Sequence, residues 1–393
     1  MGIPINPGSG EGALVSKWPG KFVIGLTGNI ATGKSVVRKM LEHLGAYGID
    51  ADALSHRAIA KGAPGYKPAV EMFGRWILGP DGQIERARLG NVVFSDPAAM
   101  AVLEGIVHPL VNQAINLIIQ RASQPVVVIE AIKLLEAGLA ESCDSVWVSY
   151  ATPRVQMARL VTNRKLTESE ASHRILSQAP QEKKIAAASV VIKNTGSYED
   201  TWRQVVSSWQ SLFPAGEPAG PAQAAKPVRK GALTVQRGKP RHSDEIAALI
   251  THLKSDGKPL TKADIMAAFG EKAFLLLQQE GKLVGVIGWQ VENLISRTTD
   301  VYLDPTIQPG DALPILMSEM ERASKDLQCE ASLLFVPSDL AKQENMWKGL
   351  GYEPRTPQAL GVQAWQEAAM ETMPNGTTLL FKQLRHDRVL RPI

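Results

Sequence analysis

Short apolar runs punctuate the first half of the chain, and stretches with helical spacing separate them. Lys21-Phe-Val-Ile-Gly-Leu-Thr27 reads as a strand entering a glycine-rich loop, with a helix over about 34–44 behind it. Ala46 to Ile49 gives a second strand, Pro125-Val-Val-Val-Ile-Glu130 a third, Ser145-Val-Trp-Val-Ser149 a fourth and Val190 to Ile192 a last short one. The β-branched residues of the third run are those of a strand buried on both faces in a parallel sheet. Helical patterns fill the intervals at about 96–122, 153–163, 168–178 and 198–212. This alternation predicts an α/β domain with a doubly wound, mostly parallel sheet.

The second half is patterned differently. A strand near Leu233–Arg237 precedes a helix from about Ser243 to Lys254. Two apolar runs flank Glu280-Gly281-Lys282, a strong hairpin signal, and a further strand ends at Val301-Tyr-Leu303. A helix near 312–327, a strand over Ala331–Val336, a helix near 339–349 and a strand over Thr377–Leu384 complete an α+β pattern around an antiparallel meander. Between the halves, Phe213 to Gly231 reads FPAGEPAGPAQAAKPVRKG, with four prolines and no apolar period. Such a segment builds no core and predicts an extended linker. The expected organisation is a loose extension over 1–20, a first domain over 21–211, a linker over 212–232 and a second domain over 233–393.

Composition fits this division. A length of 393 residues suits two domains, and 44% hydrophobic with 21% charged residues is globular usage. The net charge of +4 is mild and neither requires nor excludes polyanionic partners; the expected partner is a small molecule, with no nucleic acid or membrane. Cys143 and Cys329 share no metal-ligand spacing, which argues against a disulfide framework or zinc and for a reducing compartment. No run of about 18 apolar residues is read as a membrane span. The N-terminal stretch lacks a basic and an apolar region, so a cytoplasmic setting is expected.

Gly28-Asn-Ile-Ala-Thr-Gly-Lys-Ser35 matches G-x-x-x-x-G-K-S at the required strand-to-helix junction. Backbone N–H groups of Asn29, Ile30, Ala31, Thr32 and Gly33 are placed to cradle phosphates, helped by the helix N-terminus. Lys34 reaches the β- and γ-phosphates, and the Ser35 hydroxyl ligates Mg²⁺. The implied cofactors are ATP and Mg²⁺. At the second strand end, Asp50 and Asp52 are candidates for proton acceptance or metal binding through water, with a helix N-cap as the alternative role for Asp52. Glu130 ends the third strand, where an acid associates with magnesium in many P-loop enzymes. His108, inside a helical pattern, reads as structural. Arg154, Arg159, Arg164, Lys165, Arg174, Lys183 and Lys184 form a basic helical stretch where a lid would close over phosphates.

With these residues laid out, 22–210 resembles the dephospho-CoA kinase family. The resemblance runs in order through GLTGNIATGKS, IDADALSHR, KGAPGY, PDGQIERARLGNVVF, LEGIVHPLV, IEAIKLLEAGLAESCDSVWV and SVVIKNTGS. It implies a core, a helical substrate region and a lid, and ATP-dependent phosphorylation of the ribose 3′-hydroxyl of dephospho-CoA. It further implies Asp52 as general base with Asp50 as its substitute, Lys34 and Arg159 as catalytic residues, and Asp50, His56, Glu130 and Lys133 near the substrate. Ser35 and Glu130 are the implied magnesium residues. The chain departs from the family where Glu130-Ala-Ile-Lys133 replaces an Asp-x-Pro-Leu strand end, where Asn163-Arg164 replaces Arg-Asp in the lid, and at Ser189. Another small-molecule nucleoside or nucleotide kinase, and a nucleotide- or CoA-sensing module without catalysis, are the alternatives.

The second half more loosely resembles the GNAT acetyltransferase fold, through Val235-Gln-Arg-Gly-Lys-Pro-Arg-His-Ser-Asp244 and Trp347-Lys-Gly-Leu-Gly-Tyr352. Acetyl-CoA or CoA is the ligand this resemblance implies. In the expected pyrophosphate loop stands Thr306-Ile-Gln-Pro-Gly-Asp-Ala312. It is one residue short, Pro309 removes a donor, and Asp311 repels a pyrophosphate. A regulatory or interaction role is therefore expected of this domain.

Overall fold

In the computed structural model, which describes residues 17–214, 232–254 and 259–386, the apolar runs become the strands of two separate sheets. The linker prediction, apart from its first and last residues, and most of the N-terminal extension lie outside the described residues.

The first domain holds β1 (Phe22–Thr27), α1 (Lys34–His43), β2 (Tyr47–Asp50), α2 (Ala51–Ala58), α3 (Tyr66–Phe73), α4 (Arg86–Ser95) and α5 (Pro97–Arg121). It continues through β3 (Val126–Glu130), β4 (Ser145–Tyr150), α6 (Pro153–Arg164), α7 (Glu168–Leu176), α8 (Gln181–Ala186), β5 (Val190–Lys193) and α9 (Tyr198–Leu212). The strand order is β2-β3-β1-β4-β5, and every pairing is parallel. The strand order switches between β1 and β3, the chain adding β2 on one side of β1 and β4 on the other, and the strand ends of β1, β2 and β3 there are the usual ligand position in such sheets. β3 is buried along its whole length, as its apolar run requires. α5 covers one face, burying Val111, Ile115 and Ile119 against β2 and β3, while α1 and α9 cover the other.

By length and composition α5 is apolar enough to cross a membrane, but its buried stripe is part of this core. Two sequence boundaries shift. Trp18, within the expected loose extension, is buried and its Nε1 donates to Asn116 Oδ1 at 2.9 Å. Phe213, expected in the linker, stacks edge-on against Phe22 with ring centres 5.2 Å apart.

The second domain comprises β6 (Leu233–Arg237), α10 (Ser243–Leu253), α11 (Lys262–Ala268), β7 (Ala273–Gln279), β8 (Lys282–Glu292) and β9 (Ile295–Leu303). After these come α12 (Pro309–Asp326), β10 (Ala331–Pro337), α13 (Ser338–Ala341), α14 (Glu344–Gly349), β11 (Glu353–Pro354), α15 (Gln363–Thr372) and β12 (Thr377–Gln383). Its order is β11-β12-β10-β9-β8-β7-β6. β6 to β9 form an antiparallel meander. β9 and β10 are parallel over Ile295–Thr298 only, and the α12 crossover joins them. This is the α+β, GNAT-like arrangement expected from the second half. The hairpin falls where the sequence placed it, with Glu280 and Gly281 both at positive φ, as a two-residue turn of that twist needs.

Candidate active site

The chain leaves β1 and turns back through the glycine-rich loop before entering α1. Gly28, Ala31 and Gly33 all have positive φ, which turns successive N–H groups into one concavity. Substitution at Gly33 is doubly blocked: φ is 87°, and a Cβ there would collide with the Asn194 amide. Ser149 Oγ and Asn194 Nδ2 both donate to Thr32 O, at 2.8 and 3.0 Å, and fix the loop from the ends of β4 and β5.

Lys34 is buried and its ammonium donates to Asn29 O at 3.3 Å. Burial pulls its pKa down, and the carboxylates of Glu130, Asp52 and Asp50 oppose that shift. Ser35, the next residue, donates from Oγ to Glu130 Oε1 at 2.8 Å. Arg38, one turn further along the same helix face, donates to Glu130 Oε2 at 2.7 Å and to Glu42 at 2.6 Å.

Asp50 and Asp52 have different roles. Asp50, not Asp52, is the N-cap of α2, its Oδ1 accepting from Ala53 N at 2.9 Å. Asp52 lies in the first turn, and its Oδ2 accepts from Ile132 N at 3.1 Å. Burial, then the charge of Asp50, pushes Asp52 up to about 6, against the pull of the Ile132 N–H and Lys34. Burial, then Glu130, also raises Asp50. One ammonium and three carboxylates thus converge at the ends of β1, β2 and β3. Lys184 adds a second ammonium, donating to Ile132 O at 2.5 Å, with burial lowering its pKa.

Helix α6 and the turn between α7 and α8 reach the loop directly. Ile30 N donates to Gln178 Oε1 at 2.6 Å, and Gln156 Nε2 donates to Ile30 O at 2.6 Å. Arg159 bridges Ala31 O at 3.1 Å and Asn194 O at 2.9 Å. Of the basic stretch, Arg159 and Lys184 turn inward, whereas Arg154, Arg164, Lys165, Arg174 and Lys183 remain exposed.

Asn29 to Ser35, Asp50, Asp52, Glu130 and Arg159 are therefore brought together. His56 and Lys133 are not. His56 is exposed on α2, and partial burial followed by the charge of Arg86 lowers its pKa. Lys133 is exposed and pairs with Glu104 at 2.8 Å. Sequence reasoning missed Arg38, Gln156, Gln178 and Asn194. The spacing of Arg38 from Ser35 on one helix face was a usable signal. Gln156, one turn before Arg159 on α6, carried a signal of the same kind, whereas nothing local marked Gln178 or Asn194; all three reach the loop across more than 100 residues. Among the described residues no His, Cys, Asp and Glu cluster has the makings of a dedicated metal site, and both cysteines are free and buried.

A family model described as dephospho-CoA kinase matches residues 22–200. Dephospho-CoA kinase of Geobacter sulfurreducens is 41% identical over 195 residues, covering 49% of this chain and 99% of the relative. That of Geobacter metallireducens is 44% identical over 192 residues, covering 48% and 96%. A solved GNAT-family acetyltransferase from Staphylococcus aureus shares 11% identity at a TM-score of 0.32, covering 39% of this chain and all of that one. At that distance the fold of the second domain rests on its own strand order.

Proposed function

Since the chain belongs to the dephospho-CoA kinase family, we propose that its first domain moves the γ-phosphoryl group of ATP to the ribose 3′-hydroxyl of dephospho-CoA by the division of labour that follows. The enzyme is an ATP-dependent kinase. Backbone amides of the loop from Asn29 to Ser35, other than those of Ile30 and Thr32, which donate to Gln178 and to Asn29 O, hold the β- and γ-phosphates, and Lys34 neutralises charge that builds on the transferred group. Arg159, tied to the loop carbonyl of Ala31, contributes further positive charge from the lid.

Asp52 is the general base. Its carboxylate takes the 3′-hydroxyl proton as the oxygen–phosphorus bond to the γ-phosphate forms and the β–γ bridging bond breaks, leaving ADP. A pKa raised to about 6 keeps it ionised at neutral pH yet basic enough to accept a proton. This convergence of Asp52 with Lys34 at the mouth of the P-loop is the observation that carries the reading. Asp50 caps the helix that bears Asp52 and adds to its basicity through charge.

The hard oxygens of Ser35 and Glu130, 2.8 Å apart at the loop, suit a magnesium ion arriving with the triphosphate. When bound it supplies charge neutralisation to the phosphates. Arg38 fixes Glu130 so that one oxygen is kept toward Ser35.

Among the described residues, the β9–α12 loop of the second domain makes a poor pyrophosphate cradle. Asp304 Oδ1 accepts from Thr306 N at 3.0 Å and from its hydroxyl at 2.6 Å. Ile307 N donates to Asp304 O at 2.9 Å, and Pro309 occupies the first turn of α12. These donors are engaged within the loop, and Asp304 and Asp311 add negative charge beside it. A non-catalytic, regulatory role fits this domain better than acetyl transfer.

The test is ATP-dependent conversion of dephospho-CoA to CoA by the purified full chain. Turnover with a nucleoside or a nucleoside monophosphate in place of dephospho-CoA defeats the substrate reading. ATP binding without transfer to any acceptor favours a sensing module.

A further inference from the structure

The two domains meet at the strand and helix that carry the two aspartates. Tyr47 opens β2 and Arg57 lies in the last turn of α2, so this pair brackets Asp50 and Asp52 in sequence. Both are held from the second domain. Tyr47 donates from its hydroxyl to Leu327 O at 2.9 Å. Arg57 donates to Asn293 O at 2.7 Å and to Glu330 Oε1 at 2.8 Å. Glu330 is wholly buried and Arg57 nearly so.

The two turns that make these contacts have unusual backbones. Six non-glycine residues among those described have positive φ, and three of them are Asn293, Leu294 and Gln328. All three lie in the β8–β9 and α12–β10 turns, which face the kinase domain. Glu330 N donates to Leu294 O at 2.7 Å, joining the turns to each other. Gln328 Nε2 donates to Ile118 O of α5 at 2.9 Å. Asn293 and Leu294 are the two central residues of the β8–β9 hairpin, whose two-residue turn takes positive φ at both, and that turn brings Asn293 O to Arg57.

α2 has eight residues. A helix so short has little stability of its own, and its position is set by what packs on it. A buried arginine held by a carboxylate and a carbonyl is a directional tether, because the planar guanidinium fixes both partners. Removing one member of a buried pair leaves the other desolvated and unpaired.

We propose that Glu330 of the second domain, acting through Arg57, is a positioning residue for phosphoryl transfer, holding α2 so that Asp52 stands at the P-loop. The second domain then completes the acceptor side of the kinase rather than merely accompanying it. This inference rests on the reading of Asp52 as the general base.

The test uses the full chain with Glu330→Ala, Glu330→Gln and Arg57→Lys, assayed for dephospho-CoA phosphorylation and scaled to ATP-binding sites. Glu330→Ala is expected to lower kcat roughly tenfold, a plausible cost for a small misplacement of a reacting group, with the KM for ATP within about twofold. Glu330→Gln keeps an oxygen for Arg57 and is expected to recover most of the rate. Arg57→Lys, able to serve one partner only, is expected to fall between them. Loosening α2 also admits water to Asp52, which faces Lys34, Asp50, Glu130 and Lys184. The acid limb of the kcat profile is therefore expected to move to lower pH in Glu330→Ala. If Glu330→Ala is insoluble, Glu330→Gln and Arg57→Lys carry the test through the same kcat against KM comparison. Variants that lose thermal stability but keep kcat per ATP site and an unchanged pH profile overturn the proposal. An inactive parent overturns the functional reading, and this inference with it; an active parent with unaltered variants overturns this inference alone.

Discussion

Arg38 and Glu130 form a hydrogen-bonded ion pair of 2.7 Å, with each side chain only 5% exposed. The pair turns the other Glu130 oxygen toward Ser35, so a residue buried in α1 decides how the end of β3 faces the phosphate site. Replacing Arg38 by methionine leaves a desolvated carboxylate. Urea unfolding is expected to show a loss of about 3–5 kcal/mol. Adding Glu130→Gln should restore most of that loss, and failure to restore it would mean that Arg38 stabilises by packing.

Lys34→Ala removes the one P-loop side-chain charge buried at the site. Its kcat is expected to fall about 10²- to 10³-fold, the scale seen for loss of one preorganised donor. Circular dichroism should remain that of the parent. A loss under tenfold would assign phosphate neutralisation to Arg159 or Lys184 instead.

Asp52→Asn separates catalysis from stability. ATP affinity is expected to stay near the parent's, while transfer drops by at least about 10²-fold. The same change is expected to raise the melting temperature at pH 7.5. A carboxyl whose folded pKa is raised binds more protons folded than unfolded. Its contribution to stability therefore declines as pH rises from about 4 to about 6, and stays unfavourable above. Asparagine escapes that penalty. A variant less stable than the parent at pH 7.5 contradicts the assigned environment.

The pH profile of kcat/KM for dephospho-CoA reports on the same group in the free enzyme. Its acid limb is expected at an apparent pKa of about 6, a value shared with the neighbouring Asp50. A limb near pH 4 would mean that the base is an ordinary solvated carboxylate.

Gly33→Ala places a methyl group against Asn194 at a φ of 87°. Destabilisation of about 1–3 kcal/mol is expected, with ATP binding lost by calorimetry because the loop amides no longer converge. Unchanged ATP affinity would show that the loop adapts.

Acetyl-CoA titrated into the isolated second domain, residues 233–393, is expected to show no tight binding, because its loop donors and charges are wrong for a pyrophosphate. Saturable heat at micromolar concentration would make it a working cofactor domain.

Local pattern carried most of the fold. The strand ends, the hairpin at Glu280-Gly281 and the helix spans follow from side-chain periodicity and turn chemistry, which act over a few residues. The P-loop was legible for the same reason, since its geometry is set by glycines and a helix start within eight positions. Glu130 and Arg159 bond to that loop and Asp52 to the turn after β3, because all three sit at strand ends or on the lid. His56 and Lys133 are exposed, which the sequence did not foretell, because the direction of a side chain on a helix or loop depends on what packs behind it.

By itself the sequence determined a parallel and a mixed sheet, and a triphosphate site between β1 and α1. The tertiary structure alone decided that Asp50 caps α2 while Asp52 faces Lys34, that Arg38 governs Glu130, and that Glu330 reaches Arg57 across 273 positions of chain. The reason is range. Periodicity and capping are written in neighbouring residues, whereas a carboxylate's partner, burial and proton affinity are set by whatever the fold brings beside it.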